Sequence, residues 1–486
     1  MVKVSTRTEK DTMGEMTVPA DALYGASTQR AVENFPVSGR PVPFAVVRAY
    51  ASLKAACATV NEGLGRLEKA RAAAIRSACE SIAEGMAEHG GWARHFPVDV
   101  FQTGSGTSTN MNANEVIANL ICLAKKKPIG SSKDPAYLKG GGVHPNDHVN
   151  MGQSSNDTFP SAMQIGAVLE IRDRLLPALR VMGDELDKKA KQWNKIIKIG
   201  RTHLQDATPI RLGQEFSGYA RQVRQAERRA QSALESLCEL PIGGTAVGTG
   251  INTHKEFGKR VCAELSKMHS SKAASVTFKE ARNHFEAQHT RDVIVEASGH
   301  LKTIAVSLSK IAHDIRLLGS GPRCGIGELK LPAVQPGSSI MPGKVNPVIC
   351  EMAVQVACQV VGNDAAITMG GLGGVGSLLD LNVAMPMMAD NLLESIQLLS
   401  RACDVFTQKC LVGLEADEDR CEALIEGSLA MCTSLVPAIG YDKSAAIAKQ
   451  AYAEGKTVRQ IAIETGVLGQ GELKRLLNPA SMTKPD

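Results

Sequence analysis

The side chains best suited to chemistry are gathered in irregular, polar stretches. The stretch 335–347 reads QPGSSIMPGKVNP. Its three prolines and two glycines exclude a regular helix or a central strand. A loop of this kind between long helical patterns is where chains place chemistry rather than packing. Ser338 or Ser339 could act as base or nucleophile once its hydroxyl pKa is lowered. Lys344 is the nearest positive charge. Gly337 and Gly343 allow sharp bends, and the N–H groups of such bends can hold an anion. Asn346 followed by Pro347 reads as the N-cap and first residue of a helix, so the loop would feed the positive end of a helix dipole.

Four further stretches are dense in small hydrogen-bonding residues. Residues 103–114, TGSGTSTNMNAN, place hydroxyls and amides beside glycines, which suits a polar ligand held by neutral hydrogen bonds. This stretch lacks the Gly-Lys-Ser/Thr ending of a P-loop, which argues against a nucleotide phosphate. Residues 144–157 read HPNDHVNMGQSSND. Asn156, Asp157 and Thr158, with Pro160 beyond, mark the start of a long helix whose free N–H groups would favour a carboxylate. Residues 200–215, GRTHLQDATPIRLGQE, carry His203, the side chain able to exchange protons near neutral pH. Residues 243–254, GGTAVGTGINTH, could supply backbone contacts. Taken singly, each has a plainer reading as a turn, a capping loop or a structural histidine.

The elements around these loops are helical. Apolar residues recur at helical spacing over 161–193, 214–240, 285–318, 347–369 and 378–410. Pro177 is expected to kink the first of these. Such lengths point to a bundle, and the breadth of the apolar stripes to burial against another subunit. Residues 45–90 and 112–126 are helical in pattern, and 127–142 form an exposed connection. Beyond residue 411 the helices shorten, at 417–430, 443–454, 457–465 and 470–477, and read as a small C-terminal domain. No alternating run of strand type and no βαβ rhythm is evident.

The totals narrow the function classes. A chain of 486 residues exceeds one ordinary core. Aromatics are only 4%, so aliphatic residues must fill the interior. With 55 basic and 50 acidic residues, the formal charge of +5 argues against a dedicated nucleic-acid surface. The basic runs 125–127 and 221–229 read as solvated surface. Twelve cysteines without a C-x-x-C pair suit a reducing compartment and give no zinc pattern. The N-terminus has no apolar h-region and no stretch is long enough to span a bilayer, so a cytoplasmic protein without a membrane partner is expected.

Together these segments resemble the fumarase/aspartase superfamily. The resemblance runs from EKDTMGEMTVPADALYG near the N-terminus through all the loops above to GYDKSAAIAKQA and PASMTKP. GSSIMPGKVNP is specific for the superfamily but not for one substrate. HPND and the Thr202-His203 pair favour the class II fumarate hydratase family within it, because aspartate ammonia-lyases carry glutamine where His203 stands. His148 and Met151 depart from the family, which usually has charged residues in that segment, and Met13–Met16 is also unusual.

The resemblance implies an all-α, three-domain subunit. Its divisions would be 1–151, 152–416 with a central bundle of five long helices and the signature loop, and 417–486. Four subunits would share a helical core, and loops from different subunits would complete each site. It implies reversible hydration of fumarate to (S)-malate through an aci-carboxylate, with no metal or organic cofactor. Ser338 would be the base, with Ser339 adding a hydrogen bond. Lys344 and Asn346 would grip the carboxylate, and His203 paired with Glu351 would serve the hydroxyl. Ser105, Thr107, Ser154, Ser155, Asn156 and Thr202 would bind substrate. His144, Pro145, Asn146 and Asp147 would form a secondary dicarboxylate site. The alternatives are an aspartate ammonia-lyase, a non-catalytic structural member of the superfamily, and a helical scaffold for protein partners.

Overall fold

Alanine-rich and aliphatic stretches with few interior breakers dictate helices, and helices carry most of the chain. The computed structural model describes residues 5–270 and 275–485. Long helices occupy the stretches read as such: Leu212–Ser236, Asp292–Leu318, Val348–Gly371 and Met385–Phe406. The first expected long helix is two α-helices, Ser155–Glu170 and Leu176–Gln192, joined by the π-helical turn Ile171–Leu175. That wider turn stands immediately before Pro177, whose ring nitrogen has no proton to continue the ladder. The third starts later than its pattern: His284–His289 is a separate short helix, and Asp292 opens the long one.

Short two-stranded ribbons, absent from the sequence reading, occur as well. Thr6–Asp11 pairs with Gly14–Pro19 and Ile197–Thr202 with Gln205–Arg211, both antiparallel. Each is a hairpin with a two-residue turn, so side-chain alternation over so few exposed residues leaves little signal.

The chain divides into two compact units, each built from three separate stretches. The first comprises residues 1–176, 228–303 and 358–399. Its central helix, Phe44–Gly63, packs on Lys69–Ala83, Ser155–Glu170 and Phe257–His269. Small residues allow this: an added Cβ at Gly166 would lie 3.1 Å from the carbonyl oxygen of Ala45. The fully buried carboxylate of Glu115 accepts N–H bonds from Gly25, Ser27 and Thr28 at 2.8–3.2 Å, closing the N-terminus of Ala26–Asn34.

The second unit comprises residues 177–227, 304–357 and 400–486. Trp193, Phe216 and Tyr219 stack edge to face in it. The short C-terminal helices close over their own apolar cluster, which includes Ile425, Leu435, Ile461 and Leu477. Among the described residues, no single helix is long and apolar enough to cross a membrane.

Candidate active site

In the second unit, the signature loop folds back on its own neck. Gly337 donates its N–H to the Lys344 carbonyl (2.8 Å), and its carbonyl accepts from Asn346 Nδ2 (2.8 Å). A side chain at 337 is impossible without movement, since a Cβ would sit 2.6 Å from the Lys344 oxygen. This pinning brings Ser338, Lys344 and Asn346 into one turn. The Ser338 hydroxyl oxygen accepts N–H bonds from Ile340 (3.2 Å) and Met341 (3.0 Å). Both stabilise an oxyanion more than a neutral hydroxyl, which lowers the proton affinity of that oxygen. Ser339 and Lys344 are exposed, while Ser338 and Asn346 are half-buried.

Asn346 is not the cap that the sequence suggested. The Pro347 carbonyl accepts the first helical bond, from Glu351 N–H at 3.1 Å, and the helix Val348–Gly371 follows. The Asn346 amide serves Gly337 instead, leaving one of its N–H groups free of that bond. Glu351 is half-buried in the first turn of this helix.

His203 stands at the tip of the Ile197–Thr202/Gln205–Arg211 hairpin, beside Thr202, and both are exposed. His203 and Leu204 have φ of 56° and 61°, the left-handed pair that a two-residue hairpin turn requires. The hairpin is braced by buried charge. Glu328, fully buried, accepts from Arg201 at 3.0 Å and lies 3.2 Å from Lys198, which is itself 3.2 Å from Glu215. Among the described residues, no hydrogen bond or ion pair joins His203 to Ser338, Lys344 or Glu351 within one chain.

The first unit assembles five of the expected binding residues. A hydroxyl chain runs from Ser105 to Thr107 (2.9 Å) and on to Ser155 (2.7 Å), which reaches Asn156 Oδ1 at 3.4 Å. Gly106 permits this: its φ is +72°, and a Cβ there would penetrate the Phe159 ring. Ser154 caps the helix Ser155–Glu170, in a capping box with Asp157. Asn156 Nδ2 donates to the Ala246 carbonyl at 2.8 Å.

A scan against family models matches residues 14–362 to a family described as Lyase and residues 431–484 to one described as Fumarase C C-terminus. The class II fumarate hydratase of Corynebacterium glutamicum is 51% identical, over 99% of this chain and 97% of that protein. Its counterpart in Mycobacterium tuberculosis is 50% identical, over 99% and 96%. The crystal structure of class II fumarase from Schistosoma mansoni aligns with a TM-score of 0.92 at 37% identity, covering 99% of this chain and 100% of that one. A fumarate lyase:delta crystallin from Brucella melitensis, crystallised with cobalt, gives 0.90 at 44% identity, over 99% and 100%. This chain belongs to the class II fumarate hydratase family.

Against that family, the HPND stretch is a π-helical turn, Pro145–Val149, capped by His144. His144 Nδ1 accepts N–H bonds from Asn146 (3.3 Å) and Asp147 (3.1 Å), which places the ring proton on Nε2. Burial lowers the His144 pKa, and the Asp147 carboxylate 3.2 Å away opposes that. His148 accepts the His144 N–H on Nδ1 at 2.8 Å. Pro145 is buried, Asn146 and Asp147 exposed.

Sequence reasoning passed over two buried ions beneath the hydroxyl chain. Lys54 lies in an unbroken helical pattern, and Asp157 carries only the signal of a helix start in the sequence. Burial brings Lys54 down to about 8 and pushes Asp157 up to about 6. The signal that could have found Lys54 is a lysine inside the apolar face of Phe44–Gly63, where every neighbour from Val46 to Ala58 except Arg48 is buried.

Proposed function

We propose that this lyase interconverts fumarate and (S)-malate by anti addition and elimination of water. Ser338 is the base in this reading. As alkoxide it takes the proton from the malate carbon beside a carboxylate, and the electron pair moves into that carboxylate as an aci-carboxylate. The C–O bond then breaks, and His203 protonates the departing hydroxide to water. Hydration of fumarate runs these steps in reverse.

The observation that carries the proposal is the pair of N–H donors on the Ser338 oxygen, in a loop that also holds Lys344 and Asn346. An ordinary serine hydroxyl is far too weak an acid for this role, and fixed donors aimed at the oxygen are the means of strengthening it. Lys344 and Asn346 take the carboxylate that collects charge, and Ser339 adds a hydrogen bond. Glu351 pairs with His203 in the assembly, orienting the ring. Ser105, Thr107, Ser154, Ser155, Asn156 and Thr202 bind the substrate through neutral donors. His144, Pro145, Asn146 and Asp147 form a secondary dicarboxylate site. The reaction draws on no metal or organic cofactor in this reading.

A homotetramer with sites shared between subunits belongs to the same proposal. Long helices leave Val306, Val361 and Met369 at 57%, 43% and 52% exposure in the single chain, and such residues call for a partner surface. In the same reading the subunit has three domains divided at 151/152 and 416/417, and the apolar cluster of the C-terminal helices supports only the last of them. A cytoplasmic location fits twelve cysteines held as free thiols, nine of them buried.

Parallel assays with fumarate and L-aspartate, followed by the absorbance of the fumarate double bond, test the activity. Turnover of malate and fumarate without ammonia release is expected; turnover of aspartate alone would overturn the reading in favour of an ammonia-lyase. Native mass spectrometry should give four times the chain mass.

A further inference from the structure

The hydroxyl chain of the first unit rests on two charged side chains that the reaction does not use. Lys54 and Asp157 are both 0% exposed. Lys54 Nζ donates to Asn110 Oδ1 (2.8 Å) and Asn150 Oδ1 (2.9 Å). Asn110 sits in the first turn of Thr107–Ala124, and its Oδ1 also accepts from Thr158 Oγ1 (3.3 Å) in the helix Ser155–Glu170. Asn150 passes the link on through Nδ2 to the Gln153 carbonyl (3.2 Å), one residue before Ser154.

Asp157 ties the other side. One carboxylate oxygen accepts the N–H of Ser154 (2.9 Å). The second accepts those of Gly243 (3.1 Å) and Thr245 (2.9 Å). Thr245 is held at φ +53°, an unfavourable conformation for a branched residue, and its N–H ends on this buried carboxylate. Asn156 adds the bond to the Ala246 carbonyl. No ion pair within 4.0 Å joins Lys54 to Asp157 among the described residues, so each ion is held by neutral partners alone. Ions buried this way are costly, and apolar packing of equal volume would serve stability as well or better. What they supply is geometry: three chain segments fixed to one helix start.

We propose that Asp157 and Lys54 are positioning residues for substrate binding. Asp157 locks the 243–246 turn onto the helix start at 154–156, and Lys54 locks the first turn of Thr107–Ala124 onto the same helix. Ser105, Thr107, Ser154, Ser155 and Asn156 then meet the dicarboxylate as one preorganised set. This rests on the hydratase reading above. It adds the segment 243–246, whose role the sequence left open, to the structure that shapes the site.

The test is the split between KM and kcat in Asp157→Asn. An asparagine here either turns its NH2 toward the N–H groups of Gly243 and Thr245 or gives up the Ser154 bond. The proton-transferring groups, Ser338 and His203, lie on other segments. KM for fumarate is therefore expected to rise at least about tenfold while kcat stays within about threefold, the mark of lost binding that is equal in ground and transition states. Asp157→Glu should not restore KM, because its longer stem displaces the carboxylate. An unchanged KM in a folded, fully assembled variant overturns the proposal, as does a kcat loss with KM unmoved. Should Asp157→Asn fail to assemble, Asn150→Ala decides on the same readout. It removes one acceptor of Lys54, and a KM rise of about three- to fivefold is expected; none would overturn the role of Lys54 and with it the proposal. If the parent protein itself does not hydrate fumarate, the hydratase reading has failed instead.

Discussion

The Ser338 oxygen lies 3.0 Å from the backbone nitrogen of Met341, which donates to it. That contact exists because Gly337 is pinned between Lys344 and Asn346. Gly337→Ala would push a methyl against the Lys344 carbonyl and swing Ser338 out of line. A displacement of about 1 Å at a reacting group costs on the order of 10²-fold in rate. We expect kcat to fall by that order with the melting temperature little changed, since the loop is exposed. Steady-state kinetics and a thermal scan on the purified variant check both parts.

His203 offers a cleaner separation of chemistry from folding. It is exposed at a hairpin tip, and asparagine tolerates its left-handed φ of 56°. His203→Asn should therefore keep the fold and the assembly while kcat falls by about 10²–10⁴, the usual share of a general acid or base. Kinetics alongside native mass spectrometry would show it. Unaltered turnover would make His203 a structural residue.

Glu328 is the converse case. Removing its charge leaves Arg201 without its buried partner and Lys198 with Glu215 alone, and breaking such a set costs about 3–5 kcal/mol. Glu328→Gln should lower the midpoint of denaturant unfolding markedly. It should also reduce kcat, because Arg201 stands two residues before His203, close to the turn of the same hairpin.

Much of this architecture was legible in the residues, and the omissions have physical causes. Long helices announce themselves because a buried stripe repeats many times, as in Asp292–Leu318. The His203 hairpin did not, because its turn is His-Leu rather than Asn-Gly and its strands are half exposed. The signature loop is recognisable from its prolines, but the partner of the Asn346 amide is not. A cap and a loop clasp use the same amide, and only the fold decides which carbonyl it meets. Lys54 and Asp157 are hard to read for a related reason: what makes them matter is burial among neutral acceptors and donors 56–96 residues away in the chain.

Acid stability provides an independent check on Asp157. Burial pushes its carboxyl up to about 6 from the ordinary 3.8. Between those pH values the folded chain keeps a proton that the unfolded chain releases. Its contribution to stability therefore falls as pH rises through this window and is level above it. The span of roughly two pH units corresponds to about 3 kcal/mol. Asp157→Asn lacks this proton, so its deficit relative to the parent should be larger near pH 4 than at pH 7. Urea unfolding at both pH values measures the difference, and equal deficits would contradict the assignment.

The central claim concerns one oxygen, and replacing it is the most direct measurement. Ser338→Ala removes the acceptor of two loop N–H bonds at a half-buried site and takes away a single oxygen atom. The prediction is a drop in kcat of about 10³-fold or more, with the assembly intact and malate still raising the melting temperature. Turnover within tenfold of the parent would contradict it, because the proton would then be leaving carbon without Ser338.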